Sequence, residues 1–267
     1  MKYTIAINSY RHPEMLARCL RYARKAAEDL DAEILVADSE TGEETEALMR
    51  EEFPDVRFFP HERNVGMGAL ANAGLENARG EFVFLINYDS IIECETVERL
   101  GDYLAKHEDA GLVAPKVLNF DGTLQHTCFR FYTPFTIVYR RTPIGRLPFA
   151  RKHLNRFAMK EKDHDNLLEP DWVMGSAMMV RREEVLAMGG FDSRFFMYFE
   201  DTDLCRRYWE RGKRVVYLPE AVIYHLHGKG SAKGGLWRSL LCNKLTRIHI
   251  MSAIKYFLKY YGKRNPR

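Results

Sequence analysis

Apolar residues in the first ninety positions alternate between two spacings. Tyr3-Thr-Ile-Ala-Ile7 is a short, nearly continuous apolar run. Met15, Leu16, Cys19, Leu20 and Ala23 then recur at helical intervals, and Glu33-Ile-Leu-Val-Ala37 is a second short run. The spacing predicts strand, helix and strand, a βαβ unit. It continues with a helix over Glu43–Glu52, a strand at Val56-Arg-Phe-Phe59, a helix around Ala69–Asn77 and a strand over Glu81–Ile86. Apolar strands separated by helices predict a mostly parallel sheet covered on both faces. Ligands of such sheets gather at the carboxyl ends of the strands. The residues that follow each run are therefore the first candidates: Asn8-Ser9-Tyr10, Asp38-Ser39-Glu40, His61-Glu-Arg-Asn64 and Asn87-Tyr88-Asp89.

Beyond Ala114 the periodicity weakens. Arg130 to Lys160 holds eight basic residues, no acidic one, and Pro134, Pro143 and Pro148, which predicts a mobile loop region. Order returns with the apolar stretch Trp172–Val180, a helix from Arg182 to Met188, a Gly-Gly turn before Phe191, a helix over Leu204–Arg211 and a strand over Arg214–Leu218. From Leu236 onward, Leu241, Leu245, Ile248, Met251, Ile254, Leu258 and Tyr261 recur at helical spacing among basic residues. This helix either docks on the core or lies on an anionic membrane surface. No nucleic-acid motif accompanies the charge, so nucleic acid is not an expected partner.

The composition of the 267 residues, 46% hydrophobic and 29% charged with 18 Gly and 10 Pro, excludes a disordered, collagen-like or disulfide-stapled chain and fits one sizeable α/β core. The formal charge is only +3, but its distribution is uneven. Ala221 to Arg267 carries ten basic residues and no acid, leaving about 3 − 10 = −7 on the rest. Five scattered cysteines without a CxxC pair fit free thiols in a reducing compartment. The first residues lack the features of a signal peptide, and no apolar run approaches the roughly 18 residues of a membrane span. The expected location is cytoplasmic, including the inner face of the cell membrane.

Four motifs bear on chemistry. Gly66-Met-Gly68-Ala-Leu-Ala71 matches the G-x-G-x-x-A fingerprint of dinucleotide-binding folds, with Asp89 18 residues after Ala71; a nicotinamide-dependent oxidoreductase is thus one reading and packing glycines another. Asn87-Tyr88-Asp89 stands where a carboxylate would hold a divalent cation against a diphosphate, or where a plain surface turn would lie. Glu200-Asp201-Thr-Asp203 follows Phe195-Phe-Met-Tyr-Phe199, and crowded carboxylates beside aromatic rings predict a raised pKa or a bound cation. Asp203 before Leu204 is read as a helix cap, which leaves Glu200 and Asp201 without a structural role. His225-Leu-His227 is a metal site or a pair of loop histidines.

In this order the segments resemble the family 2 inverting glycosyltransferases of GT-A fold, particularly their rhamnosyltransferase-like members. The resemblance rests on Ser9-Tyr10, Asp38, Arg63-Asn-Val-Gly-Met-Gly-Ala-Leu-Ala-Asn-Ala-Gly74, Leu85-Ile-Asn-Tyr-Asp89, Trp172-Val-Met-Gly-Ser-Ala177, Gly189 to Arg206, and His225 before Gly228 and Ser231. It implies a catalytic domain over 1–231, a basic amphipathic helical tail over 232–267, and an α/β fold with a Rossmann-like, mostly parallel sheet. It places Ser9, Tyr10, Asp38, Arg63, Asn64, Gly68, Asn87, Trp172 and Gly175 around a nucleotide-diphosphate sugar. Asp89 becomes the ligand of Mg²⁺ or Mn²⁺, with His225 or His227 a second contact. Asp201 becomes the general base and Glu200 its supporting or acceptor-contacting neighbour. The implied acceptor is a hydroxyl of a glycan or lipid-linked molecule, in cell-wall or polysaccharide synthesis. A noncatalytic sugar-nucleotide or polysaccharide-binding relative is a further alternative.

Overall fold

A computed structural model describes residues 1–226 and 243–267. In chain order its elements are β1 (Tyr3–Tyr10), α1 (Pro13–Ala27), β2 (Ala32–Ser39), α2 (Glu43–Glu51), β3 (Arg57–His61), α3 (Met67–Asn77), β4 (Phe82–Asn87), β5 (Ser90–Ile92), α4 (Thr96–Lys106), β6 (Ala110–Leu118) and β7 (Cys128–Phe129). There follow α5 (Pro134–Arg141), α6 (Pro148–Phe157), β8 (Trp172–Val173), β9 (Ala177–Arg181), α7 (Arg182–Ala187), α8 (Glu200–Glu210), β10 (Arg214–His225) and α9 (Lys244–Lys259). Eight strands form one sheet in the order β3-β2-β1-β4-β9-β6-β10-β5. β9 runs antiparallel between β4 and β6, and β5 antiparallel at the edge beside β10; the rest are parallel.

Alternation along the strands divides the core. Ile5, Ile7 and Phe84 face one layer with Leu16 and Leu20 of α1, while Ala6, Val83 and Leu85 face the other with Leu75 of α3. Each large apolar side chain removed from water in this way contributes about 1.5–3 kcal/mol. From β1 the chain builds outward through β2 and β3, then returns to place β4 on the other flank of β1. That reversal opens a crevice at the strand ends. Register sets Ser9 opposite Asp38 and Asn8 opposite Asn87 at its mouth.

Two sequence expectations are corrected. The Arg130–Lys160 stretch is largely helical rather than a loop: Pro134 and Pro148 open α5 and α6, and Pro143 opens a 3₁₀ turn between them. Proline fits the first helical turn, where its missing N–H has no partner to lose. The apolar stretch Trp172–Val180 forms two strands, β8 and β9, separated by Met174-Gly175-Ser176. α8 begins at Glu200, so Asp203 lies inside the helix and caps nothing; its side chain is fully buried against α9 instead.

α9 docks through His249, Ser252, Ala253 and Tyr256, with Tyr260 just beyond it, onto Phe195 and Phe199. This matches the core-docking reading of the tail, although Met251, Ile254 and Leu258 remain exposed on its other side. No described helix is long and apolar enough to cross a membrane.

Candidate active site

The strand ends form the first half of the site. Asp38 is completely buried at the end of β2, and both of its carboxylate oxygens lack a hydrogen-bond partner among the described residues. The same holds for Asn8 Oδ1, Ser9 Oγ, Asn87 Oδ1 and Ser176 Oγ. Orphaned buried polar atoms cost about 1–3 kcal/mol each. Such a concentration at the switch point of a parallel sheet is suited to a polar ligand. Tyr10 flanks the crevice with its hydroxyl bonded to Glu40 at 3.0 Å. Arg63 is exposed on the loop after β3, and its carbonyl accepts from Ser39 Oγ at 3.4 Å. Asn64 Oδ1 accepts from the Gly66 N–H at 3.0 Å, shaping the entry to α3.

Asp89 and His225 meet at the crevice. β10 pairs with β5 and sets His225 opposite Ser90, bringing its Nε2 to 3.2 Å from Asp89 Oδ1. Gln125 orients the ring. Its amide nitrogen donates to the His225 carbonyl at 2.6 Å, so its Oε1 is the atom facing His225 Nδ1 at 3.1 Å. Nδ1 therefore carries the proton. That orientation turns Nε2 toward the Asp89 carboxylate, the ring nitrogen through which a histidine would join Asp89 in holding a cation. Asn87 Oδ1, Asp89 and His225 fit a small oxygen-rich cation site completed by ligand phosphates, in the manner of Mg²⁺ and Mn²⁺. Among the described residues there is no cluster of three or more His, Cys, Asp or Glu that would hold a metal alone. His227 lies outside the described residues.

The second half of the site is the start of α8. Tyr198 and Phe199 both adopt left-handed backbone conformations, φ +66° and +70°. For aromatic residues this costs about 1–3 kcal/mol each and persists only when surrounding packing enforces it. Phe199 is held by Tyr132 and Tyr256, with ring centroids 4.5 and 5.2 Å away, and Tyr198 by His249 at 5.2 Å. The turn delivers Glu200 and Asp201, both buried, into the site.

Asp201 Oδ2 accepts from the Gly175 N–H at 3.0 Å, and Oδ1 from the Thr202 N–H at 2.7 Å. Burial raises its pKa, and these hydrogen bonds oppose the rise by favouring the anion. Glu200 is pushed well above the usual carboxylate range, first by burial and then by the charge of Asp201. Its Oε2 has no partner among the described residues. The pair titrates as a unit, with Asp201 ionising first and Glu200 holding its proton to higher pH.

Gly175 and Ser176 join the two halves. The Gly175 N–H holds Asp201, and the next carbonyl, of Ser176, accepts from the Asn87 N–H at 3.1 Å. A Cβ on Gly175 would lie 3.3 Å from the Asp201 Cβ, so the absence of a side chain permits the approach. Gly68 has a similar relation to Glu200, whose Cβ would be 3.6 Å from an added Cβ. Trp172 stands apart in an aromatic wall, stacked on Phe129 at 4.4 Å with its indole N–H given to the Arg130 carbonyl.

The Gly-x-Gly segment does not form a dinucleotide cradle. A Cβ on Gly66 (φ +85°) would fall 2.1 Å from the Phe196 carbonyl oxygen, and the Met67 N–H donates to that same oxygen at 2.9 Å. The glycine is required by the close passage of the 195–196 backbone, where a pyrophosphate would need open space. Sequence reasoning missed Gln125 and Thr202. Gln125 sits in an irregular stretch, and its only signal is the contact with His225 a hundred residues away.

Comparison with known proteins follows the same lines. The chain is 28% identical over 204 residues to the N-acetylglucosaminyl-diphospho-decaprenol L-rhamnosyltransferase of Mycobacterium tuberculosis, covering 72% of this chain and 66% of that protein. It is 35% identical over 91 residues to the rhamnosyltransferase WbbL of Escherichia coli K12, covering 33% of this chain and 31% of WbbL. Among solved structures, GalNAc-T7 with UDP, GalNAc and Mn²⁺ superposes on 85% of this chain and 43% of its own, with a TM-score of 0.65 at 16% identity. The mannosyltransferase PcManGT of Pyrobaculum calidifontis with GDP-Man and Mn²⁺ covers 99% of this chain and 76% of its own, with a TM-score of 0.58 at 15% identity. These likenesses establish the GT-A fold. Residues 2–238 match the model of glycosyltransferase-like family 2, and the chain belongs to that family.

Proposed function

We propose that this glycosyltransferase moves a sugar from a nucleotide diphosphate to an acceptor hydroxyl with inversion at the anomeric carbon, using Asp201 as general base. The observation that carries the reading is the Asp201 carboxylate. It is buried, fixed by two backbone N–H groups, and tied through Gly175-Ser176 to the strand end that bears Asn87 and Asp89. The binding half supports a nucleotide: Asp38, Asn8 and Ser9 offer unpaired polar atoms to base and ribose, with Tyr10 at the end of β1 and Arg63 and Asn64 on the loop after β3 beside them.

Asn87, Asp89 and His225 would hold Mg²⁺ or Mn²⁺, which when bound offsets charge on the departing diphosphate. Asp201 takes the acceptor proton as the hydroxyl oxygen attacks from the face opposite the diphosphate. The bond from anomeric carbon to phosphate oxygen breaks, and the electron pair leaves with the nucleotide. Glu200, protonated when Asp201 is ionised, donates a hydrogen bond without adding a second negative charge beside the base. The aromatic wall of Phe129, Trp172, Tyr132 and Phe199 keeps water from this side of the site.

The acceptor reading is a glycan or lipid-linked hydroxyl. It draws on the mycobacterial relative, whose name specifies a diphospho-decaprenol substrate, and a deoxyhexose such as rhamnose is the corresponding donor sugar. Incubation with UDP-, dTDP- and GDP-sugars, Mn²⁺ and a diphosphate-lipid acceptor, followed by NMR of the product linkage, tests the proposal. Inverted anomeric configuration is expected. Retained configuration, or NAD(H) binding without transfer from any donor, overturns it.

A further inference from the structure

Among the described residues, five exposed large apolar side chains belong to one short module, α5, the 3₁₀ turn and α6. They are Phe135, Val138, Ile144, Leu147 and Phe149, with Phe135 64% and Phe149 58% exposed. The two phenylalanines flank Tyr139, with ring centroids 6.2 and 5.8 Å from it, so they form one aromatic cluster rather than scattered residues. The module is rigid. Thr133 and Thr136 form a capping box at the start of α5, Thr136 Oγ1 bonds His153 Nε2 of α6 at 2.8 Å, and Gly145 passes so close to the Tyr139 carbonyl that an added Cβ would clash. An isolated exposed Phe needs no explanation, but a contiguous apolar tip held on a fixed scaffold marks an interaction surface.

Charge identifies the partner. Residues 130–160 contain no acid. Arg146 of the 3₁₀ turn and Arg151, Lys152 and Arg156 of α6 belong to the same module and form no ion pair with any described residue. The neighbouring α9 is also acid-free, and Arg141 joins the two by donating to Thr246 Oγ1 at 3.4 Å. α9 adds the exposed Met251, Ile254 and Leu258. A nucleic acid would use the basic groups but leave the aliphatic side chains in water, whereas the interface of an anionic bilayer takes both.

We infer that the α5–α6 module is an interfacial membrane anchor: Phe135, Leu147 and Phe149 enter the acyl boundary and the module's arginines and lysine meet anionic headgroups. This deepens the lipid-linked acceptor reading without depending on it, because membrane binding is measured with neither donor nor acceptor present.

Flotation of the full chain with vesicles of phosphatidylcholine alone, or of equal parts phosphatidylcholine and phosphatidylglycerol, tests the inference. The protein should float only with the anionic vesicles, and added salt should weaken its binding. The double variant Phe135→Ser/Phe149→Ser should lose at least about tenfold in partitioning, with unchanged thermal unfolding and unchanged transfer to a soluble acceptor. Phe149→Trp should show a blue-shifted emission on binding. Absence of binding to anionic vesicles, equal binding by the double variant, or a protein dimer that the double variant converts to monomer would each overturn the assignment.

Discussion

Asp201 and Asp203 lie two residues apart on one helix and face opposite ways. Asp201 looks forward to Gly175 and the nucleotide crevice. Asp203 looks back to the C-terminal helix: Arg207 Nε donates to it at 2.8 Å, the Tyr260 hydroxyl at 2.8 Å, and Lys259 Nζ also reaches it. Lys259 bonds Asp192 at 2.6 Å as well. Burial alone would raise the Asp192 pKa, but hydrogen bonds from Arg194 and Lys259 hold it below the usual carboxylate range. Ser252 secures the Met197 carbonyl at 2.9 Å, and Lys255 the Arg194 carbonyl at 2.9 Å. α9 thus grips the whole 192–203 segment from behind, and its packing enforces the left-handed turn that aims Glu200 and Asp201. In the proposed mechanism the forward carboxylate is the base, and the rear one holds the segment that positions it.

Substitution separates the two roles. Asp201→Asn keeps the volume and removes the proton acceptor. General bases contribute typically about 10² to 10⁴-fold, so sugar transfer should fall by that order, as a transfer assay at saturating donor reads directly. Asp203→Asn removes a buried charge that pairs with Arg207 and Lys259, and breaking such a pair costs about 3 kcal/mol. Thermal unfolding should show that loss, while turnover at low temperature falls far less than with Asp201→Asn. A result with the two variants exchanged would reverse the assignment.

Glu200 offers a subtler probe. Its pKa is raised in the fold above an ordinary value of 4.5. The neutral group therefore gives its full stability below that value, and stability falls as pH rises through the raised pKa. Glu200→Gln, a permanent mimic of the neutral acid, should keep transfer within about tenfold of wild type near neutral pH. It should also flatten the decline of melting temperature with rising pH. A large loss of turnover with normal unfolding would instead make Glu200 the base. The smallest effect is expected for Gly175→Ala: its Cβ would stand 3.3 Å from the Asp201 Cβ, a contact that displaces the carboxylate slightly. Turnover should fall by less than about tenfold, with Asp203 and stability unaffected.

The forward half of the site was largely legible in the sequence. Strand periodicity put Ser9, Asp38, Asn87 and Asp89 at the ends of β1, β2 and β4, because in a parallel sheet the end of a strand is also the edge of the crevice. The rear half was legible only in part: Glu200 and Asp201 stood out as crowded carboxylates beside aromatic rings, and burial does raise their pKa values, but the elements that hold them did not show. Proline at the opening of α5 and α6 carries the same local signal as proline in a loop; the Thr133–Thr136 capping box, the Thr136–His153 bond and the packing of Phe157 and Tyr132 against Trp172 set the helices here. The cap reading of Asp203 failed for a related reason: carboxylates suit the first helical turn generally, and the partners that bury this one lie 56 and 57 residues away. The pairing of Gln125 with His225 spans 100 residues and leaves no periodic trace.

Calorimetric titration of UDP, dTDP and GDP, with and without Mn²⁺, into wild type, Asp89→Asn and Asp201→Asn tests the central division most directly. Asp89→Asn should lose the Mn²⁺-dependent part of nucleotide affinity with its melting temperature preserved. Asp201→Asn should bind like wild type while failing to transfer sugar. Weakened nucleotide binding in Asp201→Asn equal to that in Asp89→Asn would contradict the account, because the α8 carboxylate would then belong to the donor site rather than to the acceptor proton.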